Sequence, residues 1–116
     1  IFMNLKFIYK ICSKNEWADA QKKGSYTGGE KDLDDGYIHC SSEEQLETTL
    51  KKFFLDQKDL LLLKIETLKL DNLLWEQASD GNIYPHLHSS FDISHVSKVY
   101  EVYLNDDGSH KLPTKI

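Results

Sequence analysis

Five histidines are the main chemical resource of this chain, which carries fourteen lysines and no arginine. Histidine can act as an acid, a base or a metal ligand near neutral pH. Two motifs hold the most suggestive of them: His39 in Gly-Tyr-Ile-His-Cys-Ser (36–41), and His86 in a Pro-His pair downstream of Trp75-Glu76. We expect the working surface to be a histidine-centred pocket built around both motifs.

His39 lies in a short predicted strand that leads directly into Ser41 and Ser42, two residues that can cap a helix. The imidazole, the two hydroxyls and the positive end of the helix can therefore converge on one ligand. The alternative is a strand histidine that is satisfied by a single hydrogen bond to a neighbouring carbonyl.

His86 and His88 are two residues apart, so in an extended segment both rings project from the same face and can hold one ion or one anionic ligand. With Cys40 or Glu76 nearby, they would complete a three-ligand zinc site. The sequence offers no further metal-ligand spacing, and a surface histidine pair without a role is the alternative interpretation.

Trp75 and Glu76 point to opposite sides if their segment is extended, so one can be buried while the other lines a cleft. A carboxylate in a partly apolar pocket can serve as a general base or accept hydrogen bonds from ribose-like hydroxyls. Tyr26, Tyr84 and Trp17 are candidate stacking surfaces, although such aromatic residues are also common in cores.

The elements that must position these residues follow from hydrophobic periodicity and capping signals. Two helices are expected, the first with a Ser13-x-x-Glu16 capping box and the second with a core-facing stripe of Leu46, Leu50, Phe53 and Phe54. The stretch 68–76 fits helix and strand templates equally.

The expected elements are a half-buried strand (5–12), a helix (14–23), a loop (25–35), a strand (37–40), the second helix after Ser42, a central strand buried on both faces (60–65), a turn (79–82), an extended segment (83–88) and a strand (96–104). Because no strand-helix unit repeats, this pattern predicts an α+β fold.

Length and composition limit the function classes. At 116 residues the chain predicts one domain spanning 1–116, with 1–3 as a cloning remnant or start and 105–116 as a loose C-terminal extension, whose last residues (109–116) are either a loose end or an edge extension of a sheet. A net charge of −5 without arginine disfavours nucleic-acid binding, and no apolar run is long enough to span a membrane. No secretory signal is visible. We expect a cytoplasmic monomer or weak dimer with two reduced core thiols, Cys12 and Cys40, and a small-molecule ligand.

The whole pattern resembles the domain of unknown function 952 family of small bacterial proteins, over about residues 7–104. The segments that carry the resemblance are Ile8 to Ile11, Trp17-x-x-Ala20, Gly24-x-Tyr26, Gly36 to Ser41, Gln45, Phe53-Phe54, Leu61 to Leu63, Trp75-Glu76 and Tyr84 to Leu87. The Ile-His-Cys-Ser and Trp-Glu…Pro-His motifs are the specific ones.

The resemblance implies a fold similar to that of ADP-ribosyltransferases, with two packed, mainly antiparallel sheets around a central cleft. By that analogy His39 holds a ribose, Tyr26 or Trp75 supplies a stacking surface, and Glu76 or His86 is the polar catalytic group. NAD is the cofactor that this analogy suggests. The lack of arginine disfavours RNA 2′-phosphotransferase activity, and His88 stands where the family often has tyrosine.

Three functional hypotheses follow. The first is an ADP-ribosyltransferase-like enzyme, or a binder of NAD or another ribose-containing ligand. The second is a non-catalytic module that binds a small ligand or a protein through the same cleft. The third is a metal-binding protein that uses histidine and cysteine.

Overall fold

The computed structural model describes residues 5–116, so the prediction for residues 1–3 lies outside the described part of the chain. The helices are α1 (Lys14–Lys23), α2 (Glu30–Asp35) and α3 (Leu46–Phe53), and 3₁₀ turns occupy Glu43–Gln45 and Ile93–His95. The strands are β1 (Phe7–Ser13), β2 (Ser25–Tyr26), β3 (Ile38–His39), β4 (Leu60–Glu66), β5 (Leu73–Gln77), β6 (Ile83–Leu87), β7 (Phe91–Asp92), β8 (Val96–Leu104) and β9 (His110–Lys111).

Three antiparallel sheets organise these strands. A four-stranded sheet has the order β1-β4-β8-β9, a three-stranded sheet has the order β3-β6-β5, and β2 pairs with β7. The α+β class predicted from the sequence is confirmed. The longest helix among residues 5–116 is α1 with ten residues, and none is long and apolar enough to cross a membrane.

The four-stranded sheet has apolar clusters on both of its faces. One face of β1 and β4 joins α1, β3 and β6 in a cluster that includes Ile8 and Leu63, while the other packs against α3 through Leu62 and Leu50. The central, doubly buried position predicted for β4 is confirmed. The half-buried state predicted for the first strand is wrong, because even Lys10 is buried there.

Helix α1 forms with the bounds that its capping signals predict. The backbone N–H of Glu16 donates to Ser13 Oγ at 3.0 Å, and Glu16 Oε1 accepts the N–H of Ser13 at 2.7 Å. Gly24 ends the helix with φ of 82°, a left-handed conformation in which a residue with a side chain is strained. These local contacts account for where the helix begins and ends.

The prediction of a loop over residues 25–35 is wrong, because this stretch contains β2 and α2. Helix α2 is six residues long and lacks an apolar stripe, so periodicity could not reveal it. Asp32 accepts the N–H of Gly29 at 2.8 Å to cap its first turn, and Gly36 ends it with φ of 86°. Polar contacts rather than a hydrophobic face therefore order this segment.

The second helix, α3, differs from its prediction in one side chain. Leu46 and Leu50 are buried as expected, but Phe53 is 52% exposed, so its assignment to the core-facing stripe is wrong. The chain enters α3 through a 3₁₀ turn and leaves it after Phe53, whose ring lies beside the Lys31 and Lys52 ammonium groups. A phenylalanine in the last position of a helix can turn away from the core.

Two regions left open by the sequence take on strand structure. The ambiguous stretch 68–76 supplies β5 from residue 73 onward, and the tail forms β9, which extends the edge of the four-stranded sheet next to β8. The turn predicted at 79–82 joins β5 to β6, with the N–H of Ala78 donating to the Asn82 carbonyl at 2.8 Å. The strand predicted over 96–104 is confirmed.

Both cysteine thiols should resist alkylation and disulfide exchange in the folded protein. Cys12 and Cys40 are unpaired and buried, and burial raises the pKa of each thiol to about 12. Because the thiolate is the reactive form, we expect no reaction with Ellman's reagent at pH 8 on native protein and full reaction after unfolding in guanidinium. Rapid labelling of either native thiol would contradict this packing.

Candidate functional site

The three-stranded sheet separates an apolar face from a polar one. In the registers His39↔His86 and Leu74↔His86, successive side chains of each strand alternate between the two faces. One face joins the core through Ile38, Leu87, Leu73 and Trp75. The opposite face presents a set of polar and aromatic side chains: Tyr37, His39, Glu76, Tyr84, His86 and His88.

Asp32 of α2 anchors the His39 end of this polar face. Its buried carboxylate accepts hydrogen bonds from Lys10 Nζ at 2.9 Å, from His39 Nδ1 at 2.7 Å and from the His39 backbone N–H at 3.0 Å. The Lys10 ammonium also donates to the His39 carbonyl at 2.9 Å. The position and the ring orientation of His39 are therefore both set by Asp32.

The charge state of Asp32 follows from these contacts. Burial by itself would raise the pKa of the carboxyl group, but the hydrogen bond from His39 and the positive charge of Lys10 outweigh burial. The pKa of Asp32 therefore lies well below its usual range. A carboxylate that is ionised and fully hydrogen-bonded can be buried without a large penalty.

The second ring nitrogen of His39 meets another carboxylate. His39 Nε2 lies 2.9 Å from Asp35 Oδ2, at the end of α2, and the His39 side chain is 28% exposed. Asp35 is more exposed than Asp32 and is open to solvent. The accessible part of the pair is thus the imidazole Nε2 beside a carboxylate oxygen.

Glu76, His86 and His88 form a second cluster farther along the same sheet face. Glu76 Oε1 lies 2.8 Å from His86 Nδ1 and 2.7 Å from His88 Nε2. The Tyr37 ring stacks on His86 with 4.2 Å between centroids and also contacts the His39 and His88 rings, at 4.6 and 5.2 Å. Tyr37 therefore connects the two clusters.

Protonation differs between the members of the second cluster. Hydrogen bonds from His88 and His86 lower the pKa of Glu76. Burial lowers the pKa of His86 and outweighs the opposing effect of its hydrogen bond to Glu76. A neutral His86 that donates from Nδ1 to a carboxylate keeps Nε2 as an acceptor, and this atom has no hydrogen-bond partner among residues 5–116.

A cleft of about 850 Å³ opens beside these rings, between α2, α3 and the turn at 78–80. Tyr37, His39, Ser41, Tyr84 and His86 line it together with charged side chains. The charged lining is mainly acidic: three lysines (Lys10, Lys31 and Lys52) face six carboxylates (Glu16, Glu30, Asp32, Asp34, Asp35 and Asp80). The cleft therefore favours a neutral or cationic ligand over a polyanion.

The residues predicted from sequence divide between the cleft and its surroundings. His39, Ser41 and His86 line the cleft, and Glu76 contacts His86 without lining it. Trp75 and Ser42 are not among the lining residues. Tyr26 is buried and stacks on Phe91, with 5.3 Å between centroids, in the apolar cluster.

Sequence reasoning missed three residues that organise the site: Lys10, Asp32 and Tyr37. Tyr37 carried a usable signal, because it precedes His39 by two residues in a strand and so shares its face. Lys10 and Asp32 carried none, because they are 22 residues apart and meet only in the folded chain.

Comparisons with known proteins agree with this architecture. The fold and the polar face define a small α+β protein with a histidine-lined cleft. The family model described as "Protein of unknown function (DUF952)" matches residues 11–99, and the chain belongs to this family. No curated protein matches the chain.

Solved structures of protein CC0527 from Caulobacter crescentus are similar to this chain. Its crystal structure has a TM-score of 0.85 and 38% identity, covering 90% of this chain and 93% of that chain. A crystal structure of its double mutant has a TM-score of 0.85 and 37% identity, with the same coverage. The solution NMR structure has a TM-score of 0.79 and 38% identity, covering 90% of this chain and 91% of that chain.

Replacing Asp32 with asparagine should destabilise the protein strongly. The substitution leaves the buried Lys10 ammonium without its counter-ion, which typically costs about 3–5 kcal/mol. Urea unfolding at pH 7 measures the loss. Asp34→Asn is the matched control, because Asp34 is exposed and should change the unfolding free energy by less than about 0.5 kcal/mol.

The difference in unfolding free energy between wild type and Asp32→Asn should also depend on pH. Because the folded-state pKa of Asp32 is depressed, its contribution to stability is complete above the unfolded pKa of about 3.9 and is lost as the pH falls toward the folded value. The stability gap between wild type and Asp32→Asn should therefore be constant from pH 5 to 7 and narrow below about pH 4. If the difference in stability between the two proteins instead widened on acidification, the lowered pKa of Asp32 would be contradicted.

Proposed function

We propose that the cleft binds a ribose-containing small molecule of the NAD type, as in an ADP-ribosyltransferase-like protein. The observation that carries this proposal is the pair His39 Nε2 and Asp35 Oδ2, 2.9 Å apart on the cleft wall. Two neighbouring ribose hydroxyls match this pair, because one can donate to the carboxylate while the other forms a hydrogen bond with the imidazole Nε2. Carboxylates hold ribose hydroxyls in this way in dinucleotide-binding sites.

The size of the cleft supports a ligand of this class. A volume of about 850 Å³ falls within the range of about 300–1,000 Å³ that small-molecule pockets occupy. Tyr37 is partly exposed and lines the cleft two residues before His39, so its ring offers a stacking surface close to the proposed ribose position. A planar base attached to the ribose would use this surface.

The charge of the cleft indicates which part of such a ligand would lie inside it. Six carboxylates against three lysines disfavour phosphate groups inside the cleft and favour a positive charge. The oxidised nicotinamide ring carries that charge. We therefore place the nicotinamide riboside end of the ligand inside and any phosphates at the open side.

A reaction at the ribose is compatible with the same residues. When the bond between a ribose C1 and a cationic nicotinamide breaks, its electron pair leaves with neutral nicotinamide and positive charge develops on the sugar. A carboxylate such as Asp35 would stabilise this charge until water or another nucleophile forms the new bond to C1. His39 would hold the sugar while Asp32 holds His39. The sequence analogy gave this role to Glu76 or His86. The proposal moves it to Asp35, because Glu76 does not line the cleft and the imidazole of His86 carries no negative charge.

Calorimetric titration with nicotinamide riboside tests the proposal. Binding to wild type should weaken at least about tenfold in His39→Ala and in Asp35→Asn, the loss expected when one charged hydrogen bond is removed. Asp34→Asn removes the same charge from the cleft lining without touching His39, and should change affinity much less. The reduced, uncharged riboside should bind more weakly than the oxidised one.

Two results would reject this function. One is the absence of any heat or histidine NMR shift with millimolar riboside or NAD. The other is equal weakening in Asp35→Asn and Asp34→Asn, which would mean that net charge rather than the His39–Asp35 geometry governs binding. Nicotinamide release, followed by chromatography, then separates an enzyme from a non-catalytic binder.

A further inference from the structure

We propose that Glu76, His86 and His88 form a binding site for one divalent transition-metal ion, with zinc as the test ion. The candidate ligand atoms, one from each side chain, all lie within 4.8 Å of one another. Two imidazole nitrogens and a carboxylate oxygen are a common ligand set for zinc and for other divalent transition metals. This site lies outside the His39–Asp35 pair and does not depend on the ribose proposal.

The strand register explains why the three ligands meet. His86 lies in β6, and His88 follows the last residue of that strand. Because the two residues are two apart, both rings lie on the polar face, where each reaches Glu76. Glu76 pairs with Tyr84 on the neighbouring strand and therefore shares that face, one step diagonally from His86. The pairing of β5 with β6 therefore brings the three ligands together.

The hydrogen bonds of the cluster already resemble a ligand sphere. Both histidines approach the same carboxylate oxygen, at 2.8 and 2.7 Å, through one nitrogen each. A metal ion between these atoms would replace two N–H donors, and each neutral ring would carry its proton on the other nitrogen. Only small side-chain shifts are needed, because the ligand atoms already converge.

Charge also favours a cation at this position. Within residues 5–116 the ion-pair partners of Glu76 are the two histidines, and no lysine neutralises it. The site would therefore carry a net negative charge when both rings are neutral. A divalent ion would supply the missing positive charge.

The surroundings combine a supported ring with an open approach. His86 is buried and stacks against Tyr37, which also contacts the His88 ring and limits the motion of both. The backbone N–H of His88 donates to the Asn72 carbonyl at 2.9 Å. Glu76 and His88 remain about one-third exposed, so solvent can complete the coordination sphere, as in zinc sites with three protein ligands.

The test uses the full chain after removal of metals with a chelator. Calorimetric titration with Zn²⁺ should show one ion per chain, and Co²⁺ should give visible absorption bands of a low-symmetry site. Glu76→Gln and His88→Ala should each weaken binding at least about tenfold. His95→Ala is the matched control, because this histidine contacts none of the three ligands, and its affinity should equal that of wild type.

Histidine ring NMR supplies an independent readout. Zn²⁺ should shift the ring signals of His86 and His88, and His39→Ala should keep full metal affinity even if it loses the riboside. Thermal unfolding confirms that each variant is folded before it is scored. Failure of Zn²⁺ and Co²⁺ to bind, or equal weakening in His88→Ala and His95→Ala, would overturn the proposal while leaving the riboside result untouched.

Discussion

The buried carboxylate of Asp32 is the interaction on which the site depends. It brings together Lys10 of the four-stranded sheet, the backbone of Gly29 at the start of α2, and both the backbone and the ring of His39 in the three-stranded sheet. Three separate pieces of structure are thus joined at one anion. Without it, the buried lysine would lose its counter-ion and a strand N–H would lose its acceptor, and both losses are costly.

A second constraint is the alternation of side chains in the three-stranded sheet. The same strands that complete the core with Ile38, Leu87 and Leu73 carry histidines and Glu76 on their other face. Core packing therefore fixes the register of the polar face, since a slip by one residue would turn the histidines toward the apolar core and the apolar residues away from it. The chemistry and the stability of this sheet are specified together.

Much of the fold could be predicted from local signals. Helix α1 has caps at both ends, β4 is an almost wholly apolar run, and β8 alternates, so each is visible in its own residues. Helix α2 could not be predicted in this way. Its six residues are ordered by Asp32, whose partners Lys10 and His39 lie elsewhere in the sequence.

The candidate site was predictable to a similar degree. The motifs pointed to His39, Ser41 and His86, which line the cleft. The meeting of Glu76 with His86 and His88 depends on the pairing of β5 with β6, and the sequence of β5 fits helix and strand equally well. The role of Tyr26 as a stacking surface remains a prediction without support from its position, because its large apolar ring also suits the core, where it lies.

The backbone next to His39 forms hydrogen bonds to two different sheets within three residues. Cys40 donates its N–H to the Pro85 carbonyl in the three-stranded sheet, while Ser41 exchanges both backbone hydrogen bonds with Tyr9 at 2.8 Å, on the edge of the four-stranded sheet. The cleft wall is therefore tied to the core by its own backbone and cannot swing as a separate flap. A ligand that bound there would meet a pre-organised surface. The conformational entropy lost on binding would come mainly from the ligand and from exposed side chains, and little would come from this wall.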